Sequence, residues 1–202
     1  MEKKLSDIIS VLFHPMLFPT YMLVLFLYIP EFTLFSYSSD IKLYLLVFVF
    51  IMTFAIPASL LFMLKRFKII ESLQMSNRQE RMLPLAIMAG VYFITWYSLK
   101  NIGSLGLFNL FLLGVAFSSL ITLPVNYFTK ISLHMIGMGG VAGVILGLLL
   151  VYPLNMRWLF YVTILFSGLV GYARLTVTNH SLRQIYNGFM LGFVIMLILY
   201  IF

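Results

Sequence analysis

Cysteine is absent from this chain, and acid is nearly so: the six carboxylates are Glu2, Asp7, Glu31, Asp40, Glu71 and Glu80, and none follows Glu80. The first absence excludes disulfides, thiolate-held metals and a cysteine nucleophile. The second leaves residues 81–202 without the carboxylates of a carboxylate-based metal site, and without the carboxylate pair of glycoside hydrolysis. Charged residues of both signs amount to 9%, against 62% hydrophobic. So little polar surface cannot cover a water-soluble domain of 202 residues. The chain therefore reads as a polytopic membrane protein, an all-α bundle in one transmembrane domain spanning 1–202. At about 20 residues per crossing helix there is room for six or seven spans.

Apolar runs fall at about 9–30, 41–64, 82–100, 105–128, 131–152, 157–178 and 185–202, the last of them short. Met1-Glu-Lys-Lys leads into the first run with no small-residue cleavage site, so it reads as a first span or anchor rather than a removed signal. His14-Pro15 and Pro19 interrupt that run, which is expected to be kinked or only partly inserted. His14 itself reads as a buried histidine bonded to a neighbouring backbone carbonyl. Pro57 and Pro124 are expected to kink the second and fourth runs. Gly137, Gly139, Gly140, Gly143 and Gly147, with the pairs Gly168/Gly171 and Gly188/Gly192, suit close helix approach, which serves a scaffold with or without a site.

What polar chemistry remains is basic. The longest polar connection, Lys65 to Arg81, carries Arg78 and Arg81 three apart, on one face if that end is helical, with Pro84 just inside the next helix. It reads either as a topology-setting loop or as part of a site. With seven spans, this connection, the Lys130–His134 join and the Thr178–Gln184 join share one membrane face. That face collects Lys3, Lys4, Lys65, Arg66, Lys68, Arg78, Arg81, Lys130, Arg174 and Arg183, against Lys42, Lys100 and Arg157 opposite. The positive-inside rule puts it in the cytoplasm. Setting aside the five candidate site residues leaves a weak bias only.

Two of these joins hold histidine. Arg174 lies six residues before His180, and Gln184 follows one helical turn later; His134 opens its own apolar run in Lys130-Ile-Ser-Leu-His134. Ionisable groups at membrane depth are costly and mark function. Arginines with no acids beside them call for an anion from elsewhere, such as a phosphate or a lipid headgroup. Arg forks bind phosphate oxygens, one His can attack phosphorus, and a second can protonate the leaving oxygen. Ser132 can add a hydrogen bond to a phosphoryl oxygen.

These residues resemble the type 2 phosphatidic acid phosphatase superfamily of membrane lipid phosphatases. The family's third motif is Ser-Arg, five residues, His, three residues, Asp; here Ala173-Arg174 is followed after five residues by His180 and after three more by Gln184. The second motif, Pro-Ser-Gly-His, is matched in part by Ile131-Ser132-Leu133-His134. The first, Lys, six residues, Arg-Pro, has an approximate counterpart in Arg78-Gln-Glu-Arg81-Met-Leu-Pro84. The resemblance covers roughly residues 65–192. Asn-Arg-Gln-Glu-Arg, Ile-Ser-Leu-His-Met-Ile-Gly and Gln-Ile-Tyr-Asn-Gly-Phe together look like a divergent branch found among Bacteroidetes, which implies a bacterial inner membrane.

The resemblance implies that His180 is the nucleophile forming a phospho-histidine and His134 the general acid for the leaving alcohol. Arg174, Ser132 and Arg78 or Arg81 would hold the phosphoryl oxygens; Lys130 and Arg183 join them by position alone. It implies a lipid phosphate or diphosphate substrate, no metal, no cofactor and no nucleic-acid partner. Gln184 stands where the family has an Asp. It can accept a hydrogen bond and fix the His180 tautomer but supplies no charge, and losing such a carboxylate costs about 10⁴ in the Ser-His-Asp triad. The alternative is a non-catalytic binder or carrier of anionic lipid on the same fold. A transporter would need a polar path through the midplane, where these runs offer only scattered Ser, Thr and Asn.

Overall fold

The computed structural model describes residues 2–32, 37–73, 75, 77–178 and 180–202. Gln74 and Ser76 of the basic connection, and Asn179 between Arg174 and His180, lie outside the described residues. Among those described, the regular structure is helical: α1 (Glu2–Leu12), α2 (Phe18–Tyr28), α3 (Ser39–Phe50), α4 (Ile56–Arg66), α5 (Met82–Leu99), α6 (Gly106–Phe128), α7 (Leu133–Val151), α8 (Arg157–Val177) and α9 (Leu182–Ile201). Seven helical stretches are long and apolar enough to cross a membrane: Glu2–Tyr28, Ser39–Arg66, Gln79–Leu99, Gly103–Phe128, Leu133–Val151, Arg157–Val177 and Leu182–Ile201. The protein is an all-α integral membrane bundle. The chain forms two compact units, Met1–Phe18 with Lys130–Phe202, and Pro19–Thr129.

In the first unit α7 is the central helix. It is apolar all round and buried from His134 to Met135, Ile145 and Leu148, as a helix enclosed by others must be. α9 runs parallel to it at backbone contact. A Cβ on Gly139 would strike the Phe189 carbonyl, one on Gly192 the Ile136 carbonyl, and one on Gly188 would sit 2.7 Å from the Ser132 carbonyl. Small residues are the only ones that fit such a seam. Gly168 differs from the sequence reading, because a Cβ there meets nothing within 4 Å.

α1 starts earlier than the hydropathy suggested, at Glu2, because it is built the other way round from a soluble amphipathic helix. Ser6 and Ser10 are buried against α8, while Leu5, Ile8, Val11 and Leu12 are exposed, where acyl chains would meet them. The Phe13 ring lies 5.3 Å from that of Phe166, well along α8. The helix stops at His14, whose extended backbone (φ −65°, ψ 133°) is what a following proline imposes. His14 then caps the short 3₁₀ turn Pro15–Leu17: the Met16 amide donates to Nδ1 at 3.4 Å.

In the second unit α5 and α6 form an antiparallel pair tied at both ends. Asn109 Nδ2 donates to the Leu99 carbonyl and Asn126 Nδ2 to the Arg78 carbonyl, each at 2.9 Å. Ahead of Pro57 the chain widens into a π-turn, Ile51–Ala55, in which the Ile56 amide reaches back to the Ile51 carbonyl. A proline takes an amide out of the α-helical ladder, and a wider turn accommodates the loss.

Candidate functional site

The start of α9 fixes the first histidine. Ser181 is its N-cap, accepting from the Gln184 amide, while the Gln184 side chain reaches back to the Ser181 amide at 3.1 Å, a capping box. An amide N–H only donates, so the Gln184 atom it meets is the carbonyl oxygen Oε1. That same Oε1 lies 3.1 Å from His180 Nδ1. His180 therefore donates from Nδ1 to Oε1, which makes Nε2 the basic nitrogen of the neutral ring. Gln184 thus has two tasks, starting a helix and orienting an imidazole.

His134 is fixed by the opposite nitrogen. Its Nε2 lies 3.0 Å from the Ser10 carbonyl, which can only accept, so Nε2 bears hydrogen and Nδ1 is the remaining basic position. The His14 ring packs edge-on to it with centroids 5.5 Å apart. Two residues ahead, Ser132 is wholly buried at the α7 N-cap position, and its amide donates to the Gln184 carbonyl at 3.2 Å. The joins before α7 and before α9 are thereby in direct contact.

Arg174 ends α8, half-buried, with Nε buried and without a hydrogen-bond partner. Its positive charge acts on both His14 and His134, and the His180 charge also acts on His134. The carboxylate whose charge acts on Arg174 is Asp7 of α1. So His134, His180, Gln184, Ser132 and Arg174 gather at one end of the first unit. Lys130 is half-buried just before them, and Arg183 is exposed on the first turn of α9. Among the described residues no group of three His, Asp or Glu side chains is arranged to hold a metal ion.

Arg78 and Arg81 belong to the second unit. Arg78 Nη1 donates to the last carbonyls of α6, Tyr127 at 3.1 Å and Phe128 at 2.7 Å, while Arg81 is buried with Nε on the Met75 carbonyl at 3.0 Å. Sequence reading passed over the α1 contribution, Asp7, Ser10 and His14. A signal was there: Ser6, Ser10 and His14 recur at intervals of four, a polar stripe on a helix whose other faces are apolar or charged.

Compared with protein-family models, with curated proteins and with solved structures, the chain finds no match.

Proposed function

We propose that the first unit holds the site of a metal-independent lipid phosphate phosphatase that works through a phospho-histidine. The observation carrying this reading is the orientation of His180. A nucleophilic imidazole needs one nitrogen protonated and held and the other bearing its lone pair, and the Gln184–Ser181 capping box supports that tautomer. In the proposed reaction His180 Nε2 attacks phosphorus as the P–O bond to the lipid alcohol breaks. His134 takes up a proton on Nδ1 when the phosphate dianion binds, keeps Nε2–H on the Ser10 carbonyl, and gives that Nδ1 proton to the leaving oxygen. Water then attacks the phospho-histidine while His134 Nδ1 takes a proton back. Inorganic phosphate leaves and both rings return to their starting state. Arg174 and Ser132 are the proposed holders of the phosphoryl oxygens, in keeping with the resemblance to the type 2 phosphatidic acid phosphatases. Lys130, Arg78 and Arg81 enter the proposal through position or that resemblance, and a bacterial inner membrane is the proposed location.

One observation favours a second reading. Gln184 brings no negative charge to stabilise an imidazolium, so a site that captures a phosphorylated lipid without turning it over fits the same residues. Phosphate release from a panel of lipid phosphates, measured on purified protein in detergent with EDTA present, separates the two. Release that survives EDTA and vanishes in His180→Ala is expected. Lipid binding that persists with no release from wild type or from a Gln184 carboxylate variant would replace the enzyme with the binder.

A further inference from the structure

We infer that α1 is a wall of the anion site, with the Ser10 hydroxyl as a third donor to a tetrahedral oxyanion alongside Ser132 and Arg174. The inference rests on the phosphate reading above and adds a helix that the resemblance does not reach. Among the described residues of the first unit, the buried side-chain polar atoms without a hydrogen-bond partner are Ser10 Oγ, Ser132 Oγ and Arg174 Nε. Buried polar groups are nearly always paired, so an orphan asks for a missing partner. These three are not scattered. Ser10 meets the His134 ring through its carbonyl at 3.0 Å, Ser132 stands two residues before that histidine, and the Arg174 charge acts on it. Ser10 is 7% exposed and Ser132 0%. Each of the three atoms carries a hydrogen to donate, and a phosphoryl group presents several oxygens to accept.

The behaviour of Ser132 strengthens the point. Ser38 and Ser181 occupy N-cap positions and their hydroxyls accept from the helix amides that follow. Ser132 occupies the same position at α7, with an extended backbone (φ −81°, ψ 113°), and its hydroxyl makes no capping bond. The Met135 and Ile136 amides are taken by the Ser132 carbonyl, so a hydroxyl withheld from its local partner leaves the Oγ–H, at the start of α7, for an anion. Ser10 adds its hydroxyl from α1, and His14, just past the end of that helix, packs its ring on His134. The oxyanion can belong to a lipid headgroup or to free phosphate.

The test uses the full-length protein in detergent, titrated with inorganic phosphate by calorimetry. The variants are Ser10→Ala, Ser132→Ala, Arg174→Gln and, as a control one turn earlier on the same buried face, Ser6→Ala. Ser10→Ala and Ser132→Ala should each weaken binding on the order of tenfold, as loss of a hydrogen bond to a charged group does, and Ser6→Ala should not. Without phosphate, Ser10→Ala should melt at or above the wild-type temperature, since it removes an unpaired hydroxyl. Ser10→Cys, similar in volume but a weak donor, should also lose affinity. Normal affinity of Ser10→Ala or Ser10→Cys for both inorganic phosphate and phosphatidic acid, with Ser132→Ala and Arg174→Gln impaired, overturns the role of α1 and leaves the phosphate reading standing. Undiminished affinity of Arg174→Gln and Ser132→Ala for both ligands removes both. A parallel arm, binding to nanodiscs of phosphatidylcholine with or without phosphatidic acid, assigns the source. A Ser10→Ala defect in both arms supports a phosphate pocket, and one confined to phosphatidic acid supports a headgroup pocket.

Discussion

Gln184 is where local structure and chemistry compete for one side chain. Its length lets Oε1 span from the Ser181 amide to His180 Nδ1. Gln184→Glu keeps that length and adds the missing charge, so it should raise phosphate release, by about tenfold or more on the triad analogy, with the melting temperature held. Gln184→Asp is one methylene shorter and gives up the reach back to the N-cap. It should destabilise the start of α9 by roughly 1 kcal/mol, the ordinary size of a capping effect, and gain less activity than Gln184→Glu. A Gln184→Asp variant more active than Gln184→Glu would show that charge alone matters and the cap does not. Arg78 offers the contrasting case. Its Nη1 holds two carbonyls at the end of α6, so Arg78→Ala should lower the melting temperature while phosphate affinity, read by titration, decides whether it also serves the anion.

At the scale of elements, the α7–α9 seam is set by glycines, and the two helices touch backbone to backbone. Gly192→Ala drives a methyl at the Ile136 carbonyl and the Gly140 amide, and overpacking of this kind costs about 1–3 kcal/mol. Gly168→Ala has open space around it and should be neutral or stabilising by up to roughly 1 kcal/mol of helix propensity. Thermal melts of the two single variants check this, and equal behaviour would remove the seam as an explanation. The spans were legible in sequence because hydropathy reports length directly: seven apolar runs became seven spanning stretches. The His180–Gln184 pairing was legible too from their spacing, although His180 stands just ahead of α9 and meets Gln184 through the capping box. Hydropathy missed the polarity of α1, because it averages over faces and reads buried serines among exposed leucines as a weak start. Spacing along the chain likewise carried no sign that Ser10 would meet His134, a contact that joins residues 124 apart.

For the whole molecule, the division into units separates what each part needs. The second unit, Pro19–Thr129, is continuous in sequence and carries its own ties between α5 and α6. The first is assembled from the two ends of the chain. A chain truncated after Thr178 loses α9, against which α7 packs, and should leave the first unit open to protease while the 19–129 stretch stays protected. Loss of protection across both units would mean that they do not stand apart. The same division bears on synthesis. The polar face of α1 finds its partners on α8 and at the start of α7, which follow it in the chain by more than a hundred residues. Through most of translation those serines have only lipid, water or a chaperone to face. The end of the first unit where Ser10, His134, Arg174 and His180 gather thus comes into being late, because it draws on helices from both ends of the unit.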